Sequence, residues 1–259
     1  MIYLIGGTHD GRKIAQWLNE MGAPYFMSVA TELGRTTYQD VAKHLVVARL
    51  NEAEMGTLML EKGVNWVIDA SHPHAVEVSQ TAINTCKAHH IRYTRWLREE
   101  IAFKSDQVTL FDHFEEAFKA VSEMTGRVLV TGSKELEKAA IYLDKTRIVA
   151  RIVPNGESIA ICEKLGLDAG QVIGLKGPFT EEMNQLIFKQ WQIAHIVFKE
   201  SGVGSGFEEK IKAAVACGVN PIVVRMPRLS YPECAETLEA LEIILSCTIR
   251  ALCTTLSLR

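Results

Sequence analysis

Two tandem Rossmann-like α/β units, each on a parallel sheet and with a cleft between them, are predicted by three observations. Strand-like apolar runs alternate with helical patterns along almost the whole chain. The runs are continuously apolar rather than alternating, the mark of strands buried on both faces of a parallel sheet. Several end in turns of glycine and hydroxyl residues that open directly into helices. A length of 259 residues holds one large domain or two small ones. The rhythm restarts near residue 98, so the expected division is 1–97 and 98–259, with a short linker near 97–106.

The elements follow in order. "IYLIGG" reads as strand and "GRKIAQWLNEMG" as helix, stopped at Gly22. "PYFMSVAT" and "HLVVARL" are strands, "EAEMGTLMLEKG" a helix and "VNWVIDAS" a strand. "AVEVSQTAINTCKAHH" is helix and "IRYTRWL" strand. The second series opens with the helix "FEEAFKAVSEM" and the strand "RVLVTGS". It continues through "KELEKAAIYL", "RIVARIV", "SIAICEKLG", "QVIGLKG", "TEEMNQLIFKQW", "AHIVFKES", "FEEKIKAAVACG" and "PIVVRMP".

Composition narrows the function classes. A formal net charge of −3 gives no global field for nucleic acid or an anionic membrane. No apolar run is long enough to span a bilayer, and "MIYLIGG" lacks the basic start of a signal peptide, so a cytoplasmic protein is expected. The six cysteines form no Cys-x-x-Cys pair and read as reduced thiols. A G-x-x-x-x-G-K-[ST] phosphate loop, a G-x-S-x-G nucleophile elbow and a Tyr-x-x-x-Lys pair are all missing.

Ligands of open parallel sheets bind beyond the carboxyl ends of the strands. Three turns there share one chemistry: Gly6-Gly7-Thr8, Thr131-Gly132-Ser133 with Lys134, and Ser201-Gly202-Val203-Gly204-Ser205-Gly206. Glycine admits an anion close to the backbone, hydroxyls donate to it, and the helix start adds bare N–H groups and a partial positive charge. Gly6 and Gly11 fill the first and third slots of the dinucleotide fingerprint G-x-G-x-x-G, and Thr8 takes the middle one. The same residues also serve as tight turns and helix caps, so each turn alone carries two readings.

Two further strand ends are polar. "Asp69-Ala70-Ser71-His72-Pro73-His74" closes one strand. His72 and His74 lack nearby third and fourth ligands, so no metal is expected, and Pro73 suits the first position of the next helix. "Lys199-Glu200-Ser201-Gly202" closes another; Lys199 either meets an anionic ligand or pairs with a neighbouring carboxylate.

Six stretches together resemble the precorrin-6A and cobalt-precorrin-6A reductases of cobalamin biosynthesis. They are "LIGGTHDGRKIA", "VIDASHPHAVEVSQTA", "RVLVTGSKEL", "ARIVP", "LKGPFTEEMN" and "FKESGVGSGFEEKIKAA". They run from residue 4 to residue 214 in the family's order. This chain departs from the family's usual reading at His74, where a phenylalanine is expected, and at Arg95–Glu100, where "RLERP" is expected. The resemblance implies hydride transfer from NADPH or NADH to a corrinoid tetrapyrrole, giving the 6B form. Gly6, Gly7, Thr8, Thr131, Gly132, Ser133 and Lys134 are then the cofactor-binding candidates. Asp69, Ser71, His72, Lys199, Glu200, Ser201, Gly202 and Gly204 are the candidates for the substrate. Lys134, Arg151, Lys176 or Lys199 would meet substrate carboxylates. No general acid is assigned, because the conjugated ring can accept the hydride charge. Glu32 and Arg35 leave NADH and NADPH both open. A different class of reading is a non-catalytic nucleotide- or anion-sensing module.

Overall fold

A computed structural model describes residues 1–97, 107–202, 204–227 and 229–246. Val203, the linker with Arg98, Glu99 and Glu100, and Cys247 and Cys253 lie outside them. The chain divides into two compact units, one of residues 1–97 with 229–246 and one of residues 107–227.

The first unit contains β1 (Ile2–Ile5), α1 (His9–Glu20), β2 (Tyr25–Val29), α2 (Glu32–Tyr38) and β3 (Leu45–Val47). It continues with α3 (Glu52–Glu61), β4 (Trp66–Asp69), α4 (Val76–Ala88) and β5 (Arg92–Trp96). The second contains β6 (Thr109–Phe111), α5 (Phe114–Ser122), β7 (Arg127–Thr131), α6 (Leu136–Tyr142) and β8 (Ile148–Ile152). Then come α7 (Gly156–Lys164), β9 (Val172–Gly174), α8 (Glu181–Gln190), β10 (Ile193–Lys199), α9 (Phe207–Cys217) and β11 (Asn220–Val224). The chain then returns to the first unit with β12 (Cys234–Ala235) and a helical segment at 238–246.

That return corrects the expected boundary. Residues beyond 228 do not complete the second sheet: β12 pairs with β5, at Cys234↔Arg95 and Ala235↔Trp96. Leu241 is fully buried in the first unit's core. Both β6 and β12 are short edge strands without an apolar run, so the sequence pattern did not announce them.

Both sheets are wholly parallel and wound alike. The orders are β3-β2-β1-β4-β5-β12 and β9-β8-β7-β10-β11-β6. In each, the winding reverses once, between β1 and β4 and between β7 and β10. A crevice opens beyond the strand ends at such a reversal, the site where open α/β sheets bind ligands.

Alternation along the strands feeds two cores in each unit, one per sheet face. Ile2 and Leu4 of β1 pack with α1 residues Ile14 and Leu18, whereas Tyr3 and Ile5 pack with Met55, Met59 and Ala82 of α3 and α4. In the second unit, Ile148 and Ala150 face α5, α6 and α7, while Val149 joins Ile187, Phe188, Phe207 and Ile211 of α8 and α9. Burying each such side chain contributes about 1.5–3 kcal/mol, enough to fix which strand residues face which helices.

Candidate functional site

At the first reversal, β1 runs into Gly6-Gly7-Thr8 and α1. The glycines have different reasons to be there. A Cβ at Gly6 would lie 2.0 Å from Met27 Cε, and one at Gly11 would lie 3.3 Å from both Gly6 Cα and Met27 Cε. These two glycines let helix and strand pack closely. Gly7 has φ 127°, a backbone region that favours glycine, and nothing stands within 4 Å of its missing Cβ. Its amide donates to the Tyr38 hydroxyl at 3.2 Å. The Thr8 hydroxyl accepts from the Gly11 amide at 3.4 Å and donates its proton to Ala70 O at 2.9 Å. It therefore ties the end of β1 to the end of β4, and its proton is already committed.

The end of β4 is a closed polar network. Asp69 is fully buried, and Arg95 lies opposite it in the β4–β5 register. The Arg95 guanidinium reaches Asp69 Oδ1 at 2.8 Å. The Ser71 amide donates to the same oxygen at 2.9 Å, and Ser79 Oγ and Tyr93 OH donate to Oδ2 at 2.6 and 2.7 Å. Burial pushes the Asp69 carboxyl up, but Arg95 and these three donors outweigh it and hold the group below the ordinary carboxylate range. Arg95 also donates to Ser71 Oγ and Ser71 O, both at 2.9 Å, while its Nε has no hydrogen-bond partner. Asp69 and Ser71 are thus consumed inside the unit, which differs from their expected contact with a ligand. A buried carboxylate beside a strand end is stable only when so surrounded.

His72 is exposed beyond this network, and its Nδ1 accepts from the His74 amide at 3.2 Å. Pro73 does not begin a helix. It sits in a turn closed by the Ala75 amide donating to His72 O at 2.7 Å, and α4 starts at Val76 with no side-chain cap.

The second reversal repeats the plan with different charges. Thr131 Oγ1 donates to Val197 O at 3.4 Å, a longer version of the Thr8 tie. Gly132 has φ 95° and open space where a Cβ would stand. Ser133 Oγ pairs with Ser158 Oγ at 2.9 Å, and Lys134 is exposed with no ion pair among the described residues. At Gly7 and Gly132 the backbone is therefore sterically open where it leads into a helical turn, although both amides have partners, Gly7 on the Tyr38 hydroxyl and Gly132 on Arg151 O at 2.9 Å.

Lys199 at the end of β10 pairs with Glu135, Nζ to Oε1 2.9 Å, and lies 5.5 Å from the Phe114 ring centre. Glu200 turns elsewhere and accepts from the Met226 amide at 2.8 Å. Ser201 Oγ meets Ser205 Oγ at 2.7 Å, Gly202 is buried, and Gly204 is exposed at φ 76°. Thus Lys199 and Glu200 do not pair with each other.

On the opposite face of the second sheet lie two cations that the turn-centred reading underrated. Arg151, 4% exposed near the end of β8, donates to Asn184 Oδ1 at 2.7 Å and stacks 4.6 Å from the Phe179 ring centre. Asn184 is held by donating Nδ2 to Thr180 O at 2.8 Å. Lys210, in the first turn of α9, sits 5.2 Å from the Phe198 ring centre. Burial pushes Arg151 down to about 10. Burial first, and the neighbouring Arg151 charge second, push Lys210 down to about 7. The signal was present in the sequence as charged residues inside apolar patterns, "VARIV" and "EEKIKAA", but face assignment needs the fold.

Known proteins resemble this chain over nearly its full length. The family model described as precorrin-6x reductase CbiJ/CobK matches residues 1–245. A cobalt-precorrin-6A reductase of Priestia megaterium is 32% identical, covering 92% of this chain and 95% of that protein. One from Salmonella typhimurium is 30% identical over 87% of each. A solved structure titled CobK precorrin-6A reductase superposes with TM-score 0.78 at 21% identity, covering 95% of this chain and 96% of the other. It shares the fold of paired parallel sheets. With four of the six matching stretches at the two strand-end reversals and the other two at the ends of β8 and β9, the chain belongs to the precorrin-6x reductase family.

Proposed function

We propose that this protein reduces the precorrin-6A or cobalt-precorrin-6A macrocycle with a reduced nicotinamide cofactor in cobalamin biosynthesis. The observation that carries this is the family match from residue 1 to residue 245, across both units rather than one motif. The relatives cited above are named reductases, which leaves the sensing-module alternative without support.

A bound reduced nicotinamide supplies the hydride. The chain's own residues do the positioning. Gly7 and Gly132, lacking a Cβ, leave room for a pyrophosphate to approach the backbone, with the α1 start and the Ser133–Glu135 turn behind them. Lys134, exposed beside Gly132, adds a cation to that cradle. His72, Ser201, Gly202 and Gly204 offer donors to an acidic macrocycle, and Lys199, oriented by Glu135, reaches one of its carboxylates. Asp69 acts indirectly, by fixing Arg95 and the Ser71 turn that carries His72. Holding the nicotinamide carbon within about 3–3.5 Å of the ring carbon is the main catalytic task in such a transfer.

The test is a turnover assay. Oxidation of NADPH or NADH, followed at 340 nm, should occur only when the corrinoid is present, with one reduced macrocycle formed per nucleotide consumed. Nucleotide binding without any turnover on either the cobalt-containing or the metal-free substrate would return the protein to the sensing class. Comparing the two nucleotides and the two macrocycles in the same assay settles which pair the enzyme uses.

A further inference from the structure

The cations of the second sheet are unequally provided for. Lys199 has its carboxylate in Glu135 on the α5–α6 side. Arg151 and Lys210, on the α8–α9 side, form no ion pair with any carboxylate among the described residues. Arg151 is almost wholly buried, and its guanidinium donates to a neutral carboxamide oxygen. Keeping a buried charge without a counter-charge costs several kcal/mol unless something anionic arrives. The surroundings hold the pair in place. Asn184 is anchored to the backbone of Thr180, and the Phe179 ring supports the guanidinium. A Cβ at Gly206, just before α9, would lie 3.3–3.6 Å from Pro178 and Phe179, so the loop carrying Phe179 packs directly on the start of the helix that carries Lys210. Gly206 itself is left-handed at φ 74°, and α9 has no side-chain cap. Groups from three places therefore surround Arg151 at the end of β8: the Phe179 ring from the loop before α8, the Asn184 carboxamide from α8, and the opening turn of α9, which packs on that loop and carries the second cation, Lys210.

We infer that Arg151 and Lys210 form a subsite for an oxyanion. A phosphate of the cofactor and a side-chain carboxylate of the macrocycle share the chemistry it requires. The identity of the guest rests on the reductase reading above; the subsite itself rests on the two cations. It also accounts for two separated stretches, "GPFTEEMN" and "GFEEKIKAA": Phe179 and Asn184 of the first contact Arg151, and Gly206 of the second packs on the Phe179 loop at the start of the helix that carries Lys210.

The test uses the full chain and inorganic phosphate as the probe, with binding read by calorimetry and stability by thermal unfolding. Wild type should bind phosphate, Lys210→Met should weaken that binding at least tenfold, and Lys210→Arg should restore most of it. The unliganded melting temperature of Lys210→Met should equal or exceed that of wild type. Competition then distinguishes the sources. If NADP⁺ or NAD⁺ displaces phosphate and loses affinity in Lys210→Met, the guest is the cofactor phosphate. If an acetate- and propionate-bearing porphyrin does so instead, the guest is a substrate carboxylate. Equal phosphate affinity in wild type and Lys210→Met, no phosphate binding by wild type, or unfolding of Lys210→Met would each overturn the inference. Turnover reports separately: an inactive wild type that still shows the phosphate difference defeats the reductase reading and spares the subsite.

Discussion

The two strand-end reversals share the same five-strand winding and one device, a threonine hydroxyl tying β1 to the end of β4 in one unit and β7 to β10 in the other. They differ in how charge is settled. At the first, Asp69 and Arg95 neutralise each other, and three further donors satisfy the carboxylate. At the second, Lys199 is neutralised on one sheet face, while Arg151 and Lys210 on the other are not. The same topology thus gives a locked corner and a receptive one, and the side chains projecting from the strand ends decide which is which.

The largest effect should come from unlocking the first corner. Asp69→Ala strands Arg95 in the core, and loss of one partner of a buried pair costs about 3–5 kcal/mol. Urea unfolding should show that loss, and adding Arg95→Met should recover more than half of it. A loss under about 1 kcal/mol would show that the network is not structural.

The pH dependence of stability should differ between the corners in sign and range. Asp69 is held below its ordinary range, so its contribution is complete above about pH 4 and fades as the pH falls through its lower folded value. Asp69→Asn should therefore lose stability less steeply in acid than wild type. Lys210 is pushed the other way, to about 7. Above that value and up to about pH 10.4, the unfolded chain binds a proton that the folded chain has released. Stability of wild type relative to Lys210→Met should rise across that interval. Parallel curves for the two proteins would remove the claim that this ammonium is burdened by its surroundings.

The two threonine ties give the smallest and finest comparison. Thr8 is buried, caps α1 and donates at 2.9 Å, so Thr8→Val should cost about 1–2 kcal/mol. Thr131 has only the 3.4 Å contact, and Thr131→Val should cost no more than about 0.5 kcal/mol. Chemical denaturation of the two variants resolves this order, and equal losses would mean that the two hydroxyls are not graded by geometry.

Much of this architecture is legible in the amino-acid sequence. Continuously apolar strands, each followed by a helix, gave the two parallel sheets, because burial on both faces leaves that mark on composition. The edge strands β6 and β12 escaped, since "TLF" and "CA" lack the β-branched apolar run that marks the similarly short β3 and β9. The return of residues 229–246 to the first unit is a tertiary choice that local periodicity does not encode. The site was read less evenly. Glycine turns at Gly7 and Gly132 were visible because left-handed backbone selects glycine. Gly6 looked the same, yet it serves packing against Met27. Arg95 opposite Asp69, and Lys210 beside Arg151, depend on register and helix phase across distant segments, so spacing along the chain could not reveal them.

The contrast between the corners comes down to two substitutions measured side by side. Asp69→Asn and Lys210→Met each remove one charge near a reversal, and thermal unfolding of both at pH 7 in phosphate-free buffer reads the consequence directly. A locked first corner and an uncompensated second one predict opposite signs: Asp69→Asn melts well below wild type, and Lys210→Met melts at or above it. If both variants fall by similar amounts, the two corners are equally structural, and the account of a receptive second corner is contradicted.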